Sequence, residues 1–412
     1  MVESGIALAP VTQLLKWRRF ATLIASSVVE TCKIIRDPAE FLALEDEWRS
    51  LFDRVPSAYL AQSFDWCRAS WETIAAPRGR RLLVLVLLGG ERAVLIWPLV
   101  EAKYGPWRVL RPLGTEASEY HNLLVEDGPE ATRRVSTVWE MLQRSRGIDM
   151  LNLVNVRSDM ALYGLLTQDR RYRMRARSPL LWVRWPHATG WDGYWRSRSG
   201  HHRGRVSRMR RRLADRGRIG FEVVDCADRF AGLADWILLH KRAWMTRRRL
   251  GSDWPFTAPY WEFLRLAGRQ IRGRSRLAVF LLSLDGAPVA AMIGCIGGKR
   301  VEGLIGTFDD NYAAVSPGQT LYAECVRWAL EHGLEFDFRF GDEPYKESWA
   351  NERGILVSFS RPLTVKGAVL VLLLLARQRL RHLAGRLARR LPAPGKSRIK
   401  TALTNLIRKS AV

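Results

Sequence analysis

The segment from Gly306 to Trp349 reads GTFDDNYAAVSPGQTLYAECVRWALEHGLEFDFRFGDEPYKESW, and its punctuation lays out a strand, a loop, a helix and a second strand. A strand ends at Thr307, a loop carries Asp309 and Tyr312, and Ser316-Pro317-Gly318 leads into the helix. Leu321, Cys325, Trp328 and Ala329 then share one helical face, and Gly333 stands where a C-terminal cap glycine belongs. The start of that helix, Ser316 to Thr320, carries small and polar residues and leaves several backbone N–H groups pointing outward. Such an end favours a phosphate or a carboxylate, although ordinary capping would use the same residues. After the strand Glu335–Phe340 come Asp342, Glu343, Tyr345 and Lys346, two acids, a phenol and an ammonium within five positions.

Working outward, the same plan occurs twice. Arg276–Leu284 (RLAVFLLSL), an Asp285-Gly286 turn and Val289–Ile296 (VAAMIGCI) read as a β-hairpin. About 195 residues earlier, RLLVLVLL, a Gly89-Gly90 turn and AVLIWPLV read as another of the same size. Each follows a helical pair, in residues 38–75 and 228–272. The first helix opens at Asp37-Pro38-Ala39-Glu40 and runs through Phe52, and a second covers residues 63–74. Each hairpin precedes more strands around a helix: 122–125, helix 130–146 and 150–154 in the first half; 301–307, helix 318–332 and 335–340 in the second. One supersecondary plan used twice predicts a duplicated α/β fold with mixed sheets.

Length and composition agree. A chain of 412 residues suits two domains, and 47% hydrophobic residues with 17 tryptophans are ample for packed interiors. The net charge of +25 suggests nucleic acid until its distribution is examined. Residues 196–218 hold ten arginines against Asp215 alone, and residues 366–412 hold twelve Lys/Arg and no acid. The remainder of the chain is nearly neutral. The cysteines (Cys32, Cys67, Cys226, Cys295 and Cys325) are scattered and odd in number, which predicts reduced thiols and a cytoplasmic setting in place of a disulfide framework. Lys16 to Arg19 interrupt the N-terminus, so no signal peptide is expected. The run Ala368–Ala376 has nine apolar residues, well short of the ~20 that a membrane span needs.

The two basic segments differ in pattern. In Trp191–Gly217, Val206, Met209 and Leu213 draw one apolar stripe on an otherwise basic helix, suited to nucleotide or lipid phosphates or to tRNA, or simply to a solvated face. Adjacent His201 and His202 do not share a helix face, and no metal site is expected. Residues 366–391 pass from apolar into an Arg/Leu repeat, with Arg377, Arg381 and Arg390 among Leu380, Leu383 and Leu387. This suits a helix that docks its first half on the protein or an inner leaflet and lays its basic half on anionic head groups, or a plain surface helix with a disordered basic tail.

The order D-x-x-Y-x-x-x-S-P-G-x-x-L, helix, G-L-E-F-D-F-x-x-G-D-E-x-Y-K-x-x-W, carried here by Asp309, Tyr312, Ser316, Pro317, Gly318, Leu321, Gly333, Asp337, Gly341, Asp342, Tyr345, Lys346 and Trp349, resembles the CelD-like branch of the GNAT acetyltransferase superfamily. The resemblance extends to Trp195, the arginine-rich helix after it and the His240–Trp244 segment, and covers roughly residues 30–365. That branch is similar to the Fem-type aminoacyltransferases, which are built of two GNAT domains. The resemblance implies a flexible extension over residues 1–27, GNAT-like domains over 28–178 and 179–365, and a basic helix and tail over 366–412. It implies acyl-CoA as co-substrate, with no permanently bound cofactor, and a cell-envelope or polysaccharide precursor as acceptor. It places the donor at Ser316, Gly318, Gln319 and Thr320, although the full pyrophosphate signature of the superfamily, Q/R-x-x-G-x-G/A, is absent and only Gly318 and Gln319 correspond to part of it. It assigns the base or a substrate ligand to Asp342 or Glu343, the acid to Tyr345 and charge stabilisation to Lys346. Acceptor contacts fall to Trp195, Arg205, Asp309 and Tyr312. The alternatives are a Fem-type transferase that uses aminoacyl-tRNA and a non-catalytic accessory protein that binds membrane or nucleic acid.

Overall fold

The computed structural model describes residues 30–118, 120–168, 172–247, 257–271, 275–341 and 343–390. The extension over 1–27, Asp342 and the tail after Arg390 lie outside the described residues. The strands are β1 (Glu30–Ile35), β2 (Arg81–Gly89), β3 (Arg92–Tyr104), β4 (Trp107–Pro112), β5 (Leu124–Val125), β6 (Met150–Arg157), β7 (Arg173–Val183), β8 (Ile219–Val224), β9 (Arg276–Leu284), β10 (Ala287–Gly297), β11 (Arg300–Phe308), β12 (Glu335–Phe340) and β13 (Glu352–Pro362). They form one continuous mixed sheet in the order β1-β2-β3-β4-β6-β13-β7-β12-β11-β10-β9-β8, with β5 beside β3.

That order is a palindrome. Reading inward from the edges, β1 matches β8, β2 matches β9, β3 matches β10, β4 matches β11, β6 matches β12, and β13 matches β7. The parallel pairs also match: β4 with β6, and β11 with β12. The duplication read from the hairpins is therefore present in the topology. The halves are nevertheless interlocked. Strand β7 follows β6 in the chain but pairs with β12, while β13 follows β12 but pairs with β6. The expected boundary at 178/179 falls inside β7, because that strand completes the sheet of the other half.

The hairpin strands read as unbroken apolar runs because helices cover both faces of the sheet. In β2, Leu83, Leu85 and Leu87 enter one core while Leu82, Val84 and Val86 enter the opposite one. In β9, Ala278, Phe280 and Leu282 face one way, and Leu277, Val279 and Leu281 the other. Each such leucine contributes roughly 2 kcal/mol through the apolar area it buries. The second hairpin turns on Asp285 and Gly286, both at positive φ (49° and 85°), the backbone that a two-residue type I′ turn requires.

Local chemistry sets the helix ends. Asp37 accepts hydrogen bonds from the N–H groups of Ala39 and Glu40, opening a helix that breaks after Leu42 and resumes over Glu45–Arg54. Ser63 caps the helix Phe64–Ser70, and Ser199 caps Gly200–Ala214. That last cap splits the basic segment into two helices, Gly190–Ser197 and Gly200–Ala214, where one was expected. The helix Pro317–Glu331 stops before Gly333, whose φ of 68° is the left-handed backbone expected at that position. Trp66 of the N-terminal half packs on Phe263 of the C-terminal half with ring centres 4.7 Å apart, so the interior is shared as well as the sheet. All five cysteines are free thiols.

Candidate functional site

Strands β11 and β12 run parallel, but they pair only where Arg300, Val301 and Glu302 face Glu335, Phe336 and Asp337. Beyond that they diverge. The cause lies in β12, whose register against β7 shifts between Asp337 and Phe340. At this bulge Arg339 takes a left-handed backbone (φ 60°), and its N–H donates to Asp337 Oδ1 at 2.7 Å. Asp337 also accepts from the Tyr120 hydroxyl at 2.8 Å and from Arg157 at 2.7 Å, so two groups of the N-terminal half hold the bend.

Between the diverging strands opens a cavity of about 490 Å³. Its floor is the Gly303–Gly306 edge of β11, and the loop Thr115–Ser118 of the N-terminal half closes the far wall. At Gly303 a Cβ would stand 2.9 Å from Met292 Sδ, so any side chain there would displace that thioether. Its polar lining includes Lys241, Tyr322, Glu343, Tyr345 and Lys346 on one side, with Glu116, Asn155, Tyr260 and Arg339 also facing it.

The short helix Pro344–Trp349 presents Tyr345 and Lys346 just after the bulge, with Glu343 at its N-cap. The buried Lys346 ammonium donates to Glu343 Oε2 at 2.8 Å. Burial pushes the Glu343 carboxyl up, but the Lys346 hydrogen bond and the charges of Lys346 and Lys241 outweigh it and hold the group below the usual carboxylate range. Gly341 permits this packing: its φ is 129°, and a Cβ would stand 2.7 Å from Lys346 Nζ. The Tyr345 and Tyr322 hydroxyls lie 3.0 Å apart, and burial followed by Tyr345 raises the Tyr322 phenol well above its ordinary range. Lys241 reaches in from the helix Ala227–Arg247, donates to the Gly306 carbonyl at 3.1 Å and lies 4.6 Å from the Trp244 ring centre. Burial pulls its ammonium below the usual lysine range, with Glu343 opposing and Lys346 adding to the shift.

Glu343, Tyr345 and Lys346 are thus brought together at the open end of the splayed strands. The helix start lies to one side. Ser316 is left-handed (φ 51°), and its side chain caps nothing; Gly318 faces the Phe308 ring at the end of β11; Gln319 Oε1 accepts from Trp349 Nε1 at 3.3 Å. The Thr320 hydroxyl is wholly buried without a hydrogen-bond partner among the described residues. The acceptor candidates do not line the cavity. Asp309 caps the Asn311 N–H, and the half-buried Tyr312 packs against the core of the C-terminal half. Trp195 stacks on Trp191 and Trp349, and Arg205 lies on the helix Gly200–Ala214. Among the described residues no three His, Cys, Asp or Glu side chains are arranged to hold a metal ion.

Lys241 and Tyr322 were missed from sequence. Lys241 left a signal: it continues the buried stripe Phe230, Ala234, Ile237 and Met245 of its helix, and a cation on an apolar stripe marks a special environment. Thr115–Ser118 left none, because only the fold brings that loop to the cavity.

Residues 200–347 match a family model described as an acetyltransferase (GNAT) domain. No curated protein matches the chain. Among solved structures, the chain is similar to FemX, at 13% identity and a TM-score of 0.52, covering 77% of this chain and 95% of that one. It is also similar to a conserved protein of unknown function from Bacteroides thetaiotaomicron, at 12% identity and a TM-score of 0.51, covering 81% and 100%. A third is the C-terminal domain of a putative lysylphosphatidylglycerol synthetase from Agrobacterium fabrum, at 14% identity and a TM-score of 0.48, covering 80% and 94%. At such identities the first two likenesses are likenesses of fold, and with the domain match they place a GNAT fold in the C-terminal half.

Proposed function

We propose that the protein is an acyltransferase that moves an acyl group from acyl-CoA to an amine of a cell-envelope or polysaccharide precursor, on the cytoplasmic side of the membrane. The observation that carries this reading is the convergence of Glu343, Tyr345, Lys346 and Lys241 at the open end of β11 and β12. The donor lies with its phosphates at the start of the helix Pro317–Glu331 and its acyl thioester between the strands. The acceptor enters from the Thr115–Ser118 side, so the N-terminal half shapes its site.

In the reaction the amine nitrogen bonds to the thioester carbonyl carbon and the carbon–sulfur bond breaks. Glu343, kept ionised by Lys346, receives the proton that leaves the nitrogen. Tyr345 gives its proton to the departing thiolate, and the Tyr322 hydroxyl, 3.0 Å away, steadies the phenolate that forms. The Lys346 and Lys241 ammonium groups balance the negative charge that develops on the carbonyl oxygen.

Calorimetric titration with acetyl-CoA tests the donor. Saturable binding supports the reading, and its absence sinks it. A second reading, aminoacyl-tRNA as donor, draws on Arg208, Arg210, Arg211 and Arg212, which lie exposed along the helix Gly200–Ala214. It requires tRNA binding that weakens steeply with salt.

A further inference from the structure

The long helix Val365–Arg390 is apolar on two opposite faces over its first half. One face is docked. Leu370 and Val371 are buried against Val109 of β4 and Met150 of β6. Its start is pinned from several directions: Thr364 Oγ1 donates to Asp149 Oδ1 at 2.8 Å, Trp107 Nε1 donates to the Lys366 carbonyl at 3.0 Å, and a Cβ at Gly367 would collide with the Asp149 carbonyl oxygen. The helix therefore cannot roll, and its second apolar face is held outward. That face is the stripe Val365, Val369, Leu372, Leu373, Leu380 and Leu383, recurring at helical spacing. Six of the ten exposed large hydrophobic residues among the described residues lie on it, with Val365 84% and Leu372 66% exposed. Scattered exposed leucines need no explanation, but a continuous outward stripe does.

Charge decides what covers it. The stripe is bordered by Lys366, Arg377 and Arg379, and from residue 366 to the end the sequence carries twelve cations and no acid. A second copy of the chain would bring the same cations against these. An anionic bilayer complements both features, since acyl chains receive the leucines while lysine and arginine extend to the headgroups. Among the described residues no helix is long and apolar enough to cross a membrane, so the helix would lie in the plane of the surface. We infer that Val365–Arg390 is an interfacial anchor that seats the protein on an anionic lipid surface, with the leucine stripe inserted and the flanking cations on the headgroups.

Co-sedimentation of the full chain with phosphatidylcholine vesicles, with and without phosphatidylglycerol, tests this. The wild type should bind the anionic vesicles and release as salt rises. The triple variant Leu372→Ser, Leu373→Ser and Leu380→Ser alters only exposed positions, so its melting temperature should match the wild type while vesicle binding falls about tenfold or more. The same positions changed to Met should retain binding, as an apolar insertion requires. The inference fails if the wild type does not bind, or if the Ser variant binds as well as the wild type and the basic segments alone account for attachment. It fails equally if the Ser variant turns a dimer into a monomer in sedimentation velocity without loss of vesicle binding, which would make the stripe a contact between copies.

Discussion

Arg157, at the end of β6, donates to the carboxylate of Asp337, on β12, across 2.7 Å, with both side chains 1% exposed. The pair joins the matched strands of the two halves and sits directly beneath the bulge that opens the cavity. Tyr120 completes it, donating to the other carboxylate oxygen and lying under both Arg157 and Arg339.

Removing Arg157 leaves Asp337 charged and buried, whereas removing Asp337 leaves Arg157 still bonded to Asp159 at 2.8 Å. Arg157→Leu should therefore cost about 3–5 kcal/mol in chemical denaturation, and Asp337→Asn less. The double variant should cost less than the sum of the two, which a mutant cycle would read directly. Additive losses would mean that the two groups are not coupled.

Tyr345→Phe and Lys346→Met delete polar tips while keeping most of the bulk. Turnover should fall by about tenfold or more in each, with little change in melting temperature. Lys346→Met carries a second expectation. Glu343 is held low chiefly by Lys346 against the push of burial, so its loss should move the acid limb of kcat/KM to higher pH. Full activity in both variants would reduce the segment to a structural turn.

Gly318 has room for a Cβ, which would make only an ordinary 3.7 Å contact with Phe308. Gly318→Val should thus leave the fold stable while blocking the outward N–H groups at the helix start. Acetyl-CoA affinity should drop about tenfold, measured by calorimetry. Unchanged affinity would show that the helix end only caps.

Acid should weaken the protein through two histidines. Burial is the first cause that lowers both His121 and His202 from 6.5 to about 4, so the folded state keeps them neutral. Between those values the unfolded chain takes up protons that the native state refuses. Stability contributed by the neutral rings is complete above 6.5 and declines as pH falls toward 4, by roughly 3 kcal/mol for the fully enclosed His121. His121→Gln should flatten the stability–pH curve over that window, and an unaltered slope would refute the assignment.

The sequence by itself determined what depends on neighbours along the chain. Asp285-Gly286 is a turn wherever it stands, the runs of β2 and β9 are strands, and Gly333 ends its helix. Repetition of that local grammar made the duplication legible, and the cluster Glu343, Tyr345 and Lys346 was legible because it is contiguous. Only the tertiary structure decided the exchange of β7 and β13, since strand partners separated by about 180 residues are chosen by burial and register and leave no local mark. It alone decided that Lys241, Tyr322 and Thr115–Ser118 meet at one cavity. The outward stripe of the last helix was also beyond the sequence: Val371 and Leu372 are adjacent and equally apolar, and their opposite fates follow from the docking of Thr364 and Gly367 on Asp149.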